Sequence, residues 1–149
     1  MSGTSVPPSG TIRTSRGSVT LAELRGRCEV VEPGIVLFRE YDDANADTFA
    51  AQVKVVQELG EPFGAYTVIV DLREARNRPR TEMVQEILRS IRSCGVHWAT
   101  IQSTSLPIRA IAQFIIRRVV GDNVSTHATK EEAVAACRLA LEAQLRAAT

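Results

Sequence analysis

The sequence predicts an α/β domain with a mostly parallel central sheet opened by an antiparallel hairpin, in the order β-β-α-β-α-β-α-β-α. Three observations predict it. Short β-branched runs alternate with longer stretches whose apolar residues recur at helical spacing, the pattern of strands joined by crossover helices. The first two runs are separated only by Glu32-Pro33-Gly34, which suits a tight turn because Pro fixes the first φ and Gly accepts a positive second one. The run Tyr66–Asp71 is continuously apolar up to its Asp, as in a strand covered on both faces.

Taken in order, residues 1–20 are rich in Ser, Thr, Gly and Pro with almost nothing to bury and are expected to form a disordered arm. A single domain is expected over 21–149. Cys28–Val31 and Ile35–Tyr41 form the hairpin. Asn45 or Asp47 caps a helix carrying Phe49, Val53, Val56 and Leu59, ended by Gly60 and Pro62. After strand Tyr66–Asp71, Thr81 is expected as the N-cap of a helix with Met83, Val84, Ile87, Leu88 and Ile91 on one face, closed by Gly95. Val96–Gln102 is the next strand. Ser105 and Pro107 open a helix with Ile108, Ile111, Ala112, Ile115 and Val119 on its stripe, ended by Gly121. Val124–His127 is a short strand. Thr129 and Glu132 form a capping box for a last helix burying Ala133, Ala136, Cys137, Ala140 and Leu141.

Composition bounds the function. The chain has 149 residues, 44% hydrophobic and 23% charged, with a net charge of +1; that balance argues against bulk electrostatic capture of nucleic acid or of an anionic membrane, although charge can still be locally concentrated. Lys54 and Lys130 are the lysines, so 16 of the 18 basic residues are arginine, a rigid bidentate donor to carboxylate or phosphate. The three cysteines, Cys28, Cys94 and Cys137, lie far apart. They form no CxxC pair and no Cys/His cluster at metal-ligand spacing, which fits a reducing, cytoplasmic compartment. No run is long and apolar enough for a membrane span. No cofactor or metal is expected: GxxxxGK[ST] and GxGxxG are both missing. Nothing interleaves aromatic and basic residues for nucleic acid.

The element order, the hairpin, the Val68-Ile69-Val70-Asp71-Leu72 strand end with its loop and helix, and the closing strand with Thr129-Lys130-Glu131-Glu132-Ala133-Val134 together resemble the STAS family of sulfate-transporter and anti-sigma-factor-antagonist domains. The resemblance covers about Cys28 to Leu145. It implies a non-catalytic regulatory domain, whose partner would be an anti-sigma-factor kinase or another signalling protein. It also implies a phosphorylated Ser or Thr at the start of the helix after the central strand. The matching stretch here reads Arg78-Pro79-Arg80-Thr81-Glu82, a divergent form without the serine motif, in which Thr81 is the hydroxyl at that place.

The residues themselves single out the same loop, because open α/β sheets bind beyond the carboxyl ends of their strands. Arg73, Arg76, Arg78, Arg80 and Thr81 are the candidate partner- or anion-binding residues. Thr81 is either a phosphoacceptor held by these arginines or simply a helix cap. Ser103, Thr104 and Ser105 are expected beside this loop, where the two together would cradle an anion. Asp71 is read as structural, since a phosphate-receiver arrangement would need more elements between Asp43 and Asp71. His97 and His127 have no acidic or thiol neighbour in sequence and are read as packing. The helix Ile108–Val120 is apolar over more than one stripe: it is either buried on two sides or walls a lipid-sized pocket. The leading expectation is regulatory protein binding through the Arg73–Thr81 loop and the following helix, with no chemistry. A homodimer is left open. The alternative is a small-molecule or lipid carrier with an arginine-lined anion site.

Overall fold

The computed structural model describes residues 10–76, 78–94, 96–118 and 123–148. Strands β1 (Thr11–Thr14) and β2 (Gly17–Thr20) lead into a short helix α1 (Leu21–Gly26). Then come β3 (Cys28–Glu32), β4 (Ile35–Arg39), α2 (Ala46–Gly60), β5 (Thr67–Asp71), α3 (Thr81–Cys94), β6 (Trp98–Ile101), α4 (Leu106–Arg118), β7 (Val124–His127) and α5 (Lys130–Ala147). From β3 onward this is the expected order.

The five main strands lie side by side in chain order, β3-β4-β5-β6-β7. β3 and β4 are antiparallel, and each later neighbour is parallel. Parallel crossovers are right-handed, so steps taken always in one direction put α2, α3 and α4 on the same face. α5 follows the last strand and covers the other. The strand pleat sorts the side chains accordingly. Val36, Val68, Trp98 and Val124 align across the sheet toward α2–α4, and Phe38, Val70, Thr100 and Thr126 form the next row. Ile35, Leu37, Ile69, Ala99 and Ile101 point the other way and pack with Ala133, Val134 and Cys137 of α5. Both faces of β5 are covered, and all five of its residues are buried.

Local signals explain the ends. Asn45 accepts from the Thr48 N–H at 2.9 Å, and the Thr48 hydroxyl accepts from the Asn45 N–H at 2.8 Å, a reciprocal cap that starts α2. Thr129 caps α5 by accepting from Glu132 N–H. Gly34 turns the β3–β4 hairpin at φ 85, where a Cβ would also lie 2.8 Å from a Leu141 side-chain carbon. Gly60 lies so close to the Tyr66 ring that a Cβ would come within 2.4 Å of it.

Two expectations are corrected. The arm expected to be disordered over 1–20 is folded over 11–20: β1 and β2 pair antiparallel, and Ile12 and Val19 pack on Leu24 and Ala51 as a small separate core. Residues 1–9 lie outside the described residues. Thr81 is not the N-cap of α3. The Arg80 carbonyl accepts from the N–H groups of Met83 and Val84, which moves the cap back one residue and makes Thr81 the first helical residue. The expected terminators Gly95 and Gly121 lie outside the described residues.

Candidate functional site

A cavity of about 770 Å³ opens between the sheet and helices α2–α4, within the size range of small-molecule sites. Its floor is Val70, Trp98, Thr100 and Val124 of the sheet, and Phe49 of α2 adds an aromatic side. Met83, Ile87 and Ile91 come from α3, while α4 contributes Ile108, Ile111, Ala112, Ile115 and Ile116. The helical repeat dictates that last set, because residues three and four apart share a face. The broad apolar stripe of α4 therefore lines this cavity, while Ile115 and Ile111 also join the core cluster around Trp98 and Phe49. Among the described residues of this helix, Ile108 and Ile115 alone are buried.

The cavity opens at the carboxyl ends of the strands. Arg78, Pro79 and Arg80 stand on one side of the mouth, and Arg13 with the β1–β2 turn stands on another. The α2 N-terminus, Ala44 to Asp47, completes it with Glu82. Asp47 and Glu82 occupy first turns, where a carboxylate complements the helix dipole. Asp42 is spent differently: it accepts from the Arg76 N–H at 2.6 Å and faces Arg16 at 3.4 Å. The folded hairpin is latched to this rim, because Asn45 Nδ2 also donates to the Arg13 carbonyl at 2.9 Å.

The sequence-predicted residues are divided by the sheet. Asp71 aligns with Arg39, Ile101 and His127, a row that points toward α5. There it holds Arg73 through two guanidinium contacts of 2.9 and 2.8 Å and accepts the Arg73 N–H at 3.1 Å. Burial alone would raise the Asp71 carboxyl, but the Arg73 guanidinium and N–H outweigh it and hold the group below the ordinary carboxylate range. Arg73 is thus tied down on the side away from the cavity. Arg76 is exposed and its side chain does not line the cavity; Thr81 is likewise exposed outside it. Arg78 and Arg80 alone of the five reach the mouth. Ser103 and Ser105 do meet this loop as expected, but through its backbone. Ser103 Oγ donates to the Ala75 carbonyl at 2.6 Å, and Ser105 Oγ donates to the Arg76 carbonyl at 3.2 Å. Both hydroxyls therefore fasten the loop to the head of α4.

Two arrangements were not legible in the sequence. Glu40 follows β4 on the cavity side of the pleat and lines the mouth end of the cavity, yet it is only 2% exposed. Neither carboxyl oxygen has a hydrogen-bond partner among the described residues. Burial, partly offset by Arg27 and reinforced by Asp43, pushes its pKa up to about 8, so it is protonated at neutral pH. On the opposite face, His97 Nε2 and His127 Nε2 both contact Ser125 Oγ, at 2.9 and 2.8 Å. One hydroxyl can donate to one ring nitrogen and accept from the other, which satisfies a polar cluster beside edge strand β7.

Among the described residues, no group of His, Cys, Asp and Glu is arranged to hold a metal ion, and no helix is long and apolar enough to cross a membrane. No protein-family model, no curated protein and no solved structure matches the chain.

Proposed function

We propose that this domain binds a small amphipathic molecule, taking an apolar body between the sheet and helices α3 and α4 and holding an anionic head, carboxylate or phosphate, at Arg78 and Arg80. The observation that carries this reading is the apolar cavity of about 770 Å³ whose mouth those two arginines border. Burying apolar ligand surface supplies the affinity, at roughly 25 cal/mol per Å², and bidentate guanidinium contacts select the head group. The free thiols of Cys28 and Cys137, with burial first among the causes raising them to about 12 and about 11, are consistent with a reducing, cytoplasmic setting. The regulatory reading is retained as the second one. Arg76 and Thr81 support it, being exposed outside the cavity where a protein partner or kinase would meet them.

Trp98, the single tryptophan, lies on the cavity floor and serves as a built-in reporter. Titration with a long-chain fatty acid is expected to shift its emission saturably. At a hundredfold excess over Kd, binding adds about 2.7 kcal/mol and raises Tm by roughly 5–10 °C for a chain of this size. Ala112→Phe, which narrows the cavity between α4 and the sheet, is expected to weaken both responses strongly with the circular dichroism unchanged. Arg78→Glu/Arg80→Glu is expected to weaken binding of the fatty acid while leaving that of the corresponding alcohol. A flat titration for both ligands rejects the reading. Capture of a protein partner that is lost on Arg76→Glu supports the second.

A further inference from the structure

We propose that the outer face of α4 is a docking surface for an anionic lipid bilayer, and that α4 is the wall through which the cavity exchanges its ligand with that bilayer. The second half of this rests on the carrier reading above; the first stands on the surface itself.

The two faces of α4 carry different chemistry. Its inner stripe, from Ile108 to Ile116, lines the cavity. Its outer positions, Leu106, Arg109, Ala110, Gln113, Phe114 and Arg117, fall at intervals of three and four and are all exposed. Two of them are large and apolar: Leu106 is 73% exposed and Phe114 is 41% exposed. The charge is equally one-sided. The helix holds Arg109, Arg117 and Arg118 and no acidic residue, so it carries three positive charges in a chain whose net charge is +1. None of the three arginines has an acidic partner among the described residues; Arg118 instead lies over the Phe114 ring, 4.7 Å from its centroid. Arg39 of β4 and Arg138 of α5, by contrast, are spent on acids, in the pairs Arg39–Glu29 and Arg138–Glu32.

Exposed apolar anchors flanked by uncompensated arginines on one helical face suit the interface of a bilayer, where the apolar groups enter the headgroup boundary and the cations meet anionic lipid. The support of the helix fits the same role. A second, smaller cavity of about 340 Å³ lies against α4, lined by Leu106, Arg109, Ala110 and Gln113 and sharing Leu72, Ile108 and Ala112 with the first. Cavities thus border α4 on two sides, and a helix seated beside cavities has fewer packed partners to give up when it moves. An acidic protein would satisfy the arginines, but it would not account for a face whose reverse side walls an apolar cavity open to an amphipath.

The test is co-sedimentation of the intact protein with vesicles of phosphatidylcholine alone or of phosphatidylcholine containing phosphatidylserine, at low and at physiological salt. Binding is expected only with phosphatidylserine, and is expected to weaken as salt rises. An arginine near an anionic surface is worth roughly fivefold in affinity, so Arg117→Gln/Arg118→Gln is expected to weaken binding about 25-fold and Arg117→Glu/Arg118→Glu further. Phe114→Ser is expected to weaken it with no change of charge. The arginine variants lie outside the cavity, so their Trp98 response to fatty acid in solution is expected to match that of the unaltered chain. No sedimentation with either vesicle, equal sedimentation with both, or undiminished binding by both arginine variants overturns the docking surface, including where an acidic protein is captured instead. Vesicle binding with a flat Trp98 titration upholds docking and removes the exchange role together with the carrier reading. A saturable titration without vesicle binding leaves the carrier reading standing and rejects this one.

Discussion

Glu40 shows how one side chain can bend the pH dependence of the whole fold. Its pKa rises from an ordinary 4.5 to about 8 on folding, so the native state binds the proton more tightly than the unfolded chain does. Below pH 4.5 both states are protonated and the group contributes no slope. Between 4.5 and 8 the unfolded chain has lost the proton that the native state keeps, so stability falls as pH rises, then levels off above 8. Glu40→Gln removes this slope. The stability of the variant relative to the unaltered chain, measured by urea unfolding, is expected to improve by up to a few kcal/mol between about pH 5 and pH 8. A difference independent of pH would show that Glu40 ionises in place. Nothing in the sequence announces this residue, because a carboxylate just past a strand reads as solvated. Its burial comes from the pleat, which turns position 40 to the same side as Phe38, under the rim. Pleat parity likewise divides the arginine loop. The cluster at 73–80 is plain in the sequence, but Asp71 drawing Arg73 toward α5 depends on which way Asp71 points.

At the scale of elements, legibility follows the strength of the local signal. α2 is readable because Asn45 and Thr48 close a reciprocal cap ahead of Phe49, Val53 and Val56. Asn45→Ala removes that cap and, with it, the bond to the Arg13 carbonyl. A cost of about 1–2 kcal/mol is expected, read as a lower urea midpoint with unchanged slope. α4 is readable as an apolar helix, but a broad apolar face looks the same whether it meets a core or a cavity; only tertiary spacing separates the two. β1 and β2 are the opposite case. Four-residue strands carry too few inward side chains to show a period, and here only Ile12 and Val19 are buried, amid Ser, Thr, Arg and Gly.

At the scale of the whole molecule, the hairpin serves as a brace for the cavity rim as well as a cover for Leu24. A chain beginning at Leu21 loses the burial of Ile12 and Val19, each worth about 1.5–3 kcal/mol as an upper bound. Its Tm is expected to fall by roughly 5–20 °C in a thermal scan, and its Trp98 titration with fatty acid to weaken, since Arg13 leaves the mouth. An unchanged Tm would show that the hairpin merely rests on the surface. The strand order was readable as alternation, but the strict neighbour-to-neighbour sequence across the sheet was not. It follows from crossovers that all step the same way, a choice that local residue patterns do not encode.

That strand order also bears on how the chain reaches its native state. From β3 to β7 every strand joins the one just before it in the sequence, so the sheet can grow by closing short segments in turn, and closure entropy rises only slowly with the length to be closed. The helix α5 is the exception. It returns across the whole sheet, and its Arg138 meets Glu32 across 106 residues of chain. Growth can therefore proceed from β3 toward β7 with one face already dressed in helices, while the other waits for α5 to seal it.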